Sequence, residues 1–122
     1  MKAMLSNGIL CFWCPGCDGM MQVNHVRWHW NGDAGKPTLS PSILQTCGPF
    51  PDGHTEVCHC FVKDGNIEFC TDCTHSKRGE MPLPDLDDVI NLSIHPEGNL
   101  TWSRKYNQLG VSPCPFNVVH AV

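Results

Sequence analysis

Two short apolar runs, Val57-Cys58-His59-Cys60-Phe61-Val62 and Asn66-Ile67-Glu68-Phe69-Cys70, are joined through Lys63-Asp64-Gly65. They constrain the fold more than any other stretch. Both runs are rich in β-branched and aromatic residues, and Asp-Gly between such runs favours a two-residue type I′ turn, because both central positions need positive φ. With Asp64 and Gly65 at those positions the register is fixed: Val62 faces Ile67, Cys60 faces Phe69, His59 faces Cys70 and Cys58 faces Thr71. Alternation then puts Cys58, Cys60, Val62, Ile67, Phe69 and Cys73 on one face of the ladder. Val57, His59, Phe61, Glu68, Cys70 and Asp72 fall on the other.

The face bearing Cys58 and Cys73 matters because of a second feature, Cys14-Pro15-Gly16-Cys17. Pro and Gly between two thiols give a tight turn whose backbone amides can point at sulfur, the shape of a zinc knuckle. We therefore expect a zinc site made of Cys14, Cys17, Cys58 and Cys73, with His75, His59, Cys70 and His25 as alternates. Cys70/Cys73 is a second pair with the same spacing, but the hairpin register sets Cys70 on the opposite face from Cys58 and Cys73. Nine cysteines in 122 residues is high usage, and an odd number cannot all pair as intramolecular disulfides. No leader-like block opens the chain, so the expected compartment is a reducing cytoplasm, with the thiols as ligands or buried apolar groups.

Elsewhere the pattern is also β. Ile9 to Trp13 delivers the chain to the knuckle, and Gln22 to Trp30 alternates as a half-buried strand with Asn24, Val26, Trp28 and Trp30 inward. Thr38 to Leu44 reads as an edge strand or extended segment, because Pro41 cannot donate within a ladder. Thr46 to Thr55 reads as the mobile connection of the chain. Asp88 to Ile94 and Leu100 to Ser103 form a second hairpin, and Cys114 sits in a proline-flanked tail. No helical periodicity stands out. The expected fold is mainly β, one small single-domain sheet or sandwich over residues 1–122 with a zinc-tied knuckle and hairpin.

Composition narrows the function classes. A formal charge of −4 with eight Lys plus Arg argues against nucleic acid as the main partner, since phosphate binding needs clustered cations. No apolar run approaches the about 18 residues of a membrane span. The loop from Trp30 to Pro37 suggests a polar binding lip formed by Trp28, Trp30, Asn31, Asp33 and Thr38, set against a plainer reading in which these side chains bond their own loop.

The blocks Phe12-Trp13-Cys14-Pro15-Gly16-Cys17, Trp28-His29-Trp30-Asn31-Gly32-Asp33, Pro37-Thr38-Leu39-Ser40-Pro41-Ser42-Ile43-Leu44, Cys58-His59-Cys60-Phe61-Val62-Lys63-Asp64-Gly65 and Asp72-Cys73-Thr74-His75 resemble, in the same order, a family of small phage and prophage proteins without a settled activity. The resemblance implies a phage origin, a β-rich unit and a metal site drawn from Cys14, Cys17, Cys58, His59, Cys73 and His75. Members often carry a His shortly after the knuckle, where this chain has Met20 and Met21. The expected function is a zinc-binding protein acting through protein-protein contacts with a host or phage protein, as an inhibitor of host machinery or of a bacterial defence system. One alternative is a zinc-dependent hydrolase or deaminase using Asp72, His59 or His75 beside an open metal, or His54-Thr55-Glu56 with Cys70 and Cys73. A second is a zinc-knuckle nucleic-acid binder stacking bases on Trp28, Trp30 and Trp102.

Overall fold

The computed structural model describes residues 1–98, 100–105 and 117–121. Three strands, β1 (Ala3–Ser6), β2 (Ile9–Cys14) and β3 (Gly19–Asn24), form an antiparallel meander. Asn7 and Gly8, both at positive φ, make the first turn, so the sheet begins before the strand expected at Ile9. The second turn is the Cys14–Cys17 knuckle itself, with Cys14 opposite Gly19. Leu10, Phe12 and Cys14 point into one apolar cluster while Cys11 and Trp13 point into another. Burial on both faces is why β2 reads as an unbroken apolar run rather than an alternating one.

The larger sheet is built from β4 (His29–Trp30), β5 (Leu39–Cys47), β6 (Glu56–Lys63), β7 (Asn66–Phe69), β8 (Gly79–Pro82) and β11 (Asn117–Ala121). Its order is β11-β5-β6-β7-β8, with β4 also on β5. The expected hairpin register holds: Val62 faces Ile67 and Cys60 faces Phe69, with Asp64 at φ 51° and Gly65 at φ 80°. Ile43, Cys60, Val62, Ile67 and Phe69 pack from this sheet against Leu10, Phe12, Met21 and Val23 of the first. On the other side of the first sheet, α1 (Leu86–Val89), β9 (Ile90–Ile94) and β10 (Leu100–Arg104) cover Met4, Cys11 and Trp13 with Leu86 and Ile90. The architecture is mainly β, small antiparallel sheets packed face to face.

Four expectations are corrected. The Gln22–Trp30 strand stops at Asn24, whose Oδ1 accepts from Val26 N and whose carbonyl accepts from Arg27 and Trp28 N. The side-chain bond turns the chain and leaves Val26 exposed. β5 is an interior strand rather than an edge, because Pro41 falls in the interruption between Leu39/Val62 and Ile43/Cys60 and between the stretches covered by β4 and β11. One helical turn, capped by Asp85 Oδ1 accepting from Asp87 N, precedes β9 where a strand was expected from Asp88. Seven of the described cysteines are free, but Cys47 is disulfide-bonded, so the reading of every thiol as reduced fails there. The expectation for Cys114 lies outside the described residues.

Candidate catalytic triad and thiol cluster

Strand β6 holds the functional side chains on both of its faces. Cys58, Cys60 and Val62 are buried inward, while His59, Phe61 and Lys63 point outward. On the outward face, His59 Nδ1 lies 3.1 and 3.2 Å from the Asp72 carboxylate oxygens. Its Nε2 is 3.3 Å from Ser42 Oγ. An ionised carboxylate can only accept, so Nδ1 carries the ring proton and Nε2 presents its lone pair to the serine hydroxyl. Ser42, His59 and Asp72 thus form a chain of hydroxyl, imidazole and carboxylate, an arrangement chemically able to supply a nucleophile, a base and an orienting acid.

Local folding explains how three residues far apart in sequence meet. Residues Leu39 to Ile43 on β5 span two more positions than Val62 to Cys60 opposite them. This bulge bends the strand and aims a side chain out of the regular ladder. Below it, Leu44 faces His59 and Ile43 faces Cys60, so Ser42 lies on the outward face diagonal to His59. Asp72 sits just past β7, in a turn drawn against β6 by Cys70 N donating to the His59 carbonyl and Thr74 N donating to the Val57 carbonyl. The Arg78 guanidinium donates to the carbonyls of Cys73, His75 and Lys77 and closes the far side of that turn. Ser42 is buried at 8 % exposure. The Asp72 side chain is 56 % exposed, more open to water than the acid of a buried triad, which weakens its electrostatic hold on the imidazolium. Cys70 lies within 4.8 Å of His59 and Asp72. Burial and the Asp72 carboxylate both raise its pKa, which keeps the thiol protonated and disfavours it as the nucleophile.

The inward face of the same strand holds sulfur. Cys14, Cys17 and Cys58 place their Sγ atoms within 4.8 Å of one another, and Cys58, Cys73 and the His75 ring form a second such group. Cys14 and Cys58 are 3.8 Å apart, the edge of a tetrahedron with metal-sulfur bonds of about 2.3 Å. Cys17 N donates to Cys14 Sγ at 3.4 Å, as expected of a knuckle amide. His75 Nε2 is 3.4 Å from Cys58 Sγ, and Nδ1 accepts from Lys77 N. A Cβ on Gly16 would run into the His75 ring, so glycine at that position lets the imidazole close over the knuckle. Hydrogen bonds from Cys17 and then Cys58 hold the Cys14 pKa down to about 3. Proximity to Cys14 pushes Cys17 and Cys58 up. Several thiols share one site here, and without a cation only one thiolate is comfortable. Burial depresses the His75 pKa and favours the neutral ring that a metal needs.

Among the candidates from sequence, Cys14, Cys17 and Cys58 are brought together, and Cys58 also meets Cys73 and His75. Cys73 Sγ contacts the peptide of His59 from both ends, accepting from N and donating to O, each at 3.2 Å. His59, Cys70 and Asp72 form their own group on the opposite face. His25 belongs to none of the groups among the described residues and packs edge-on to Trp30 at 6.2 Å. His54 stacks on Phe50 and pairs with Asp52 and Glu56, apart from those groups, so the deaminase-like His54 and Glu56 pairing with Cys70 and Cys73 does not assemble.

Around the polar lip, the loop side chains make the bonds of the plainer reading. Asn31 Oδ1 accepts from Asp33 N and Thr38 N, Asp33 Oδ1 accepts from Gly35 N and Lys36 N, and Thr38 Oγ1 accepts from Asp64 N. These side chains tie their own loop to the hairpin turn. Trp28 is 2 % exposed and part of the core, and Trp30 packs against it half-buried. Trp102 stands edge-on to Trp13 at 6.3 Å, so these three indoles do not form an open stacking platform.

Sequence reasoning named His59 and Asp72 but missed Ser42. The available signal was its place between Pro41 and an apolar run, where proline marks a break in the ladder.

A family model for the bacterial ubiquitination-like system serine protease, BubE, matches residues 2–70. The chain belongs to this family. The match spans more than half of the chain and contains Ser42 and His59, ending two residues before Asp72. The match ties the chain to a bacterial ubiquitination-like system and does not itself carry the expected resemblance to phage and prophage proteins. No significant match was found among curated proteins or solved structures. Among the described residues no helix is long and apolar enough to cross a membrane.

Proposed function

We propose that this protein is a serine protease of a bacterial ubiquitination-like system, with Ser42 as nucleophile, His59 as general base and acid, and Asp72 as the orienting carboxylate. The observation that carries the reading is the chain of contacts from Ser42 Oγ through His59 Nε2 and Nδ1 to Asp72. Ser42 Oγ attacks the substrate carbonyl as its proton passes to His59 Nε2, and the Asp72 carboxylate stabilises the imidazolium that results. His59 then gives that proton to the leaving group, leaving an acyl-Ser42 ester. Water attacks the ester, losing a proton to His59, and Ser42 takes the proton back as the acid product departs. The family match, by its own description a serine protease, supports the same roles.

The second component of the proposal is zinc bound by Cys14, Cys17, Cys58 and His75. Three thiols and an imidazole suit zinc, and a set of four protein ligands leaves it a structural ion that cross-links the small fold. With Nδ1 accepting from Lys77 N, His75 turns Nε2 toward Cys58 Sγ, and this nitrogen would be its ligand atom for the cation. His75 is preferred over Cys73 as the fourth ligand because Cys73 Sγ is engaged with the His59 peptide on both sides.

In this reading the protein-protein contact is that of a protease with a protein substrate. Action within the bacterial cytoplasm and a link to defence belong to the same reading. The zinc-hydrolase alternative is not better supported than this reading, in which Ser42 Oγ lies 3.3 Å from His59 Nε2. The deciding experiment is zinc analysis and turnover on one preparation of Ser42→Ala. Full metal content with turnover lost supports the reading, and full turnover retained overturns it.

A further inference from the structure

The outward face of the larger sheet carries a groove beside the triad, of about 570 Å³, lined by Thr38, Leu39, Phe61, Lys63, Glu68 and Glu80 among others. Three observations give it an occupant. Phe61 is a large aromatic side chain left 47 % exposed, and its ring stacks beside that of His59 with centroids 6.1 Å apart and planes 27° from parallel. Phe61, which lines the groove, is thus the side chain that borders His59. Glu68 lies opposite Phe61 in one ladder and opposite Glu80 in the next, so aromatic ring and two carboxylates form one row across three strands. Like charges facing each other in a ladder are unfavourable. Neither glutamate enters an ion pair among the described residues, and Asn66 Nδ2 donates to Glu80 Oε1 at 2.9 Å.

We infer that this groove is the specificity site of the proposed protease and holds an extended peptide segment of the substrate next to the scissile bond. An apolar side chain of that segment packs on Phe61, and a Lys or Arg further along lies between Glu68 and Glu80. The inference rests on the Ser42–His59–Asp72 reading. Spacing supports it: β6 to β8 is two strand separations, about 10 Å, which an extended chain covers in about three residues. The charge balance agrees, with Asp64, Glu68 and Glu80 in the groove lining against Lys63 alone. A buried basic side chain lowers the repulsion between the two glutamates, so it is bound more tightly than a neutral one.

The test uses the full chain with two probes, a fluorophosphonate that labels an activated serine without needing the groove, and a positional library of fluorogenic peptides. The expected result is a preference for peptides combining an apolar and a basic residue. Glu68→Gln with Glu80→Gln should lower kcat/KM for the preferred peptide about tenfold through KM, flatten its salt dependence and leave labelling of Ser42 intact. Phe61→Ala should lose a similar factor and Phe61→Leu much less. Binding of the preferred peptide to Ser42→Ala, read by anisotropy, should weaken in parallel. Labelled Ser42 with no peptide cleaved, no basic preference, or unchanged kcat/KM in the double glutamine variant overturns the groove assignment alone. Absence of labelling at Ser42 overturns the triad reading and this inference with it.

Discussion

The two faces of β6 do opposite work with alternating residues of one strand. Cys58 and Cys60, facing inward, are 2 % and 0 % exposed and sit among core side chains and sulfur. His59 and Phe61, facing outward, meet a serine hydroxyl, a solvated carboxylate and an open groove. Period-two geometry makes the inward Cys58 the backbone neighbour of the outward His59, and in the turn after β7 the buried Cys73 follows the exposed Asp72. Packing holds the inward side chains, and the outward ones inherit that rigidity through the shared backbone, most directly where Cys73 Sγ contacts the His59 peptide. A small protein can in this way hold an outward-facing group of side chains in place, with Ser42 buried and Asp72 open to water.

Substitutions on the two faces should separate cleanly. The largest effect is expected outward: Ser42→Ala should reduce kcat/KM by about 10⁴-fold or more while metal content and melting stay as in the wild type, measured on the same preparation. Next, Cys14→Ser on the inward side should release the metal and broaden or abolish the unfolding transition, because in such sites binding energy is folding energy; metal analysis with calorimetry reads both. Activity should fall with the fold, which would expose the dependence of the outer face on the inner one. Asp72→Asn comes third. We expect a loss of about 10²-fold in kcat, smaller than for a buried triad acid because solvent already screens this carboxylate, with metal retained. The smallest effect is expected away from both faces. Asp33→Ala removes the acceptor for Gly35 N and Lys36 N and should cost about 1 kcal/mol in denaturant unfolding with kcat unchanged; a selective loss of activity there would restore the loop as a working surface.

Much of this was legible in the sequence because it is local. Asp64-Gly65 dictates a turn, the turn dictates register, and register puts His59 and Asp72 on one face and Cys58 on the other. The knuckle is legible for the same reason, since its turn chemistry lies within four residues. Ser42 was not, because its role depends on a register shift between β5 and β6 that no residue on β5 announces by itself. Pro41 was read as a reason to expect an edge, whereas the structure places it in a gap of an interior strand. Along Gln22 to Trp30 the expected inward Trp28 is indeed buried, but Val26, expected on the same face, is exposed, because Asn24 turns the chain and ends the alternation. The fourth partner in the sulfur cluster was also open in the sequence: Cys73 and His75 are two residues apart, and only the path of the turn brings the His75 ring over Gly16.

The most direct measurement is fluorophosphonate labelling of the intact protein followed by peptide mapping, in the wild type and in His59→Ala. The account expects one adduct, on Ser42, that is lost or greatly slowed without His59. An adduct on another residue, or labelling of Ser42 that proceeds equally well in His59→Ala, would contradict it.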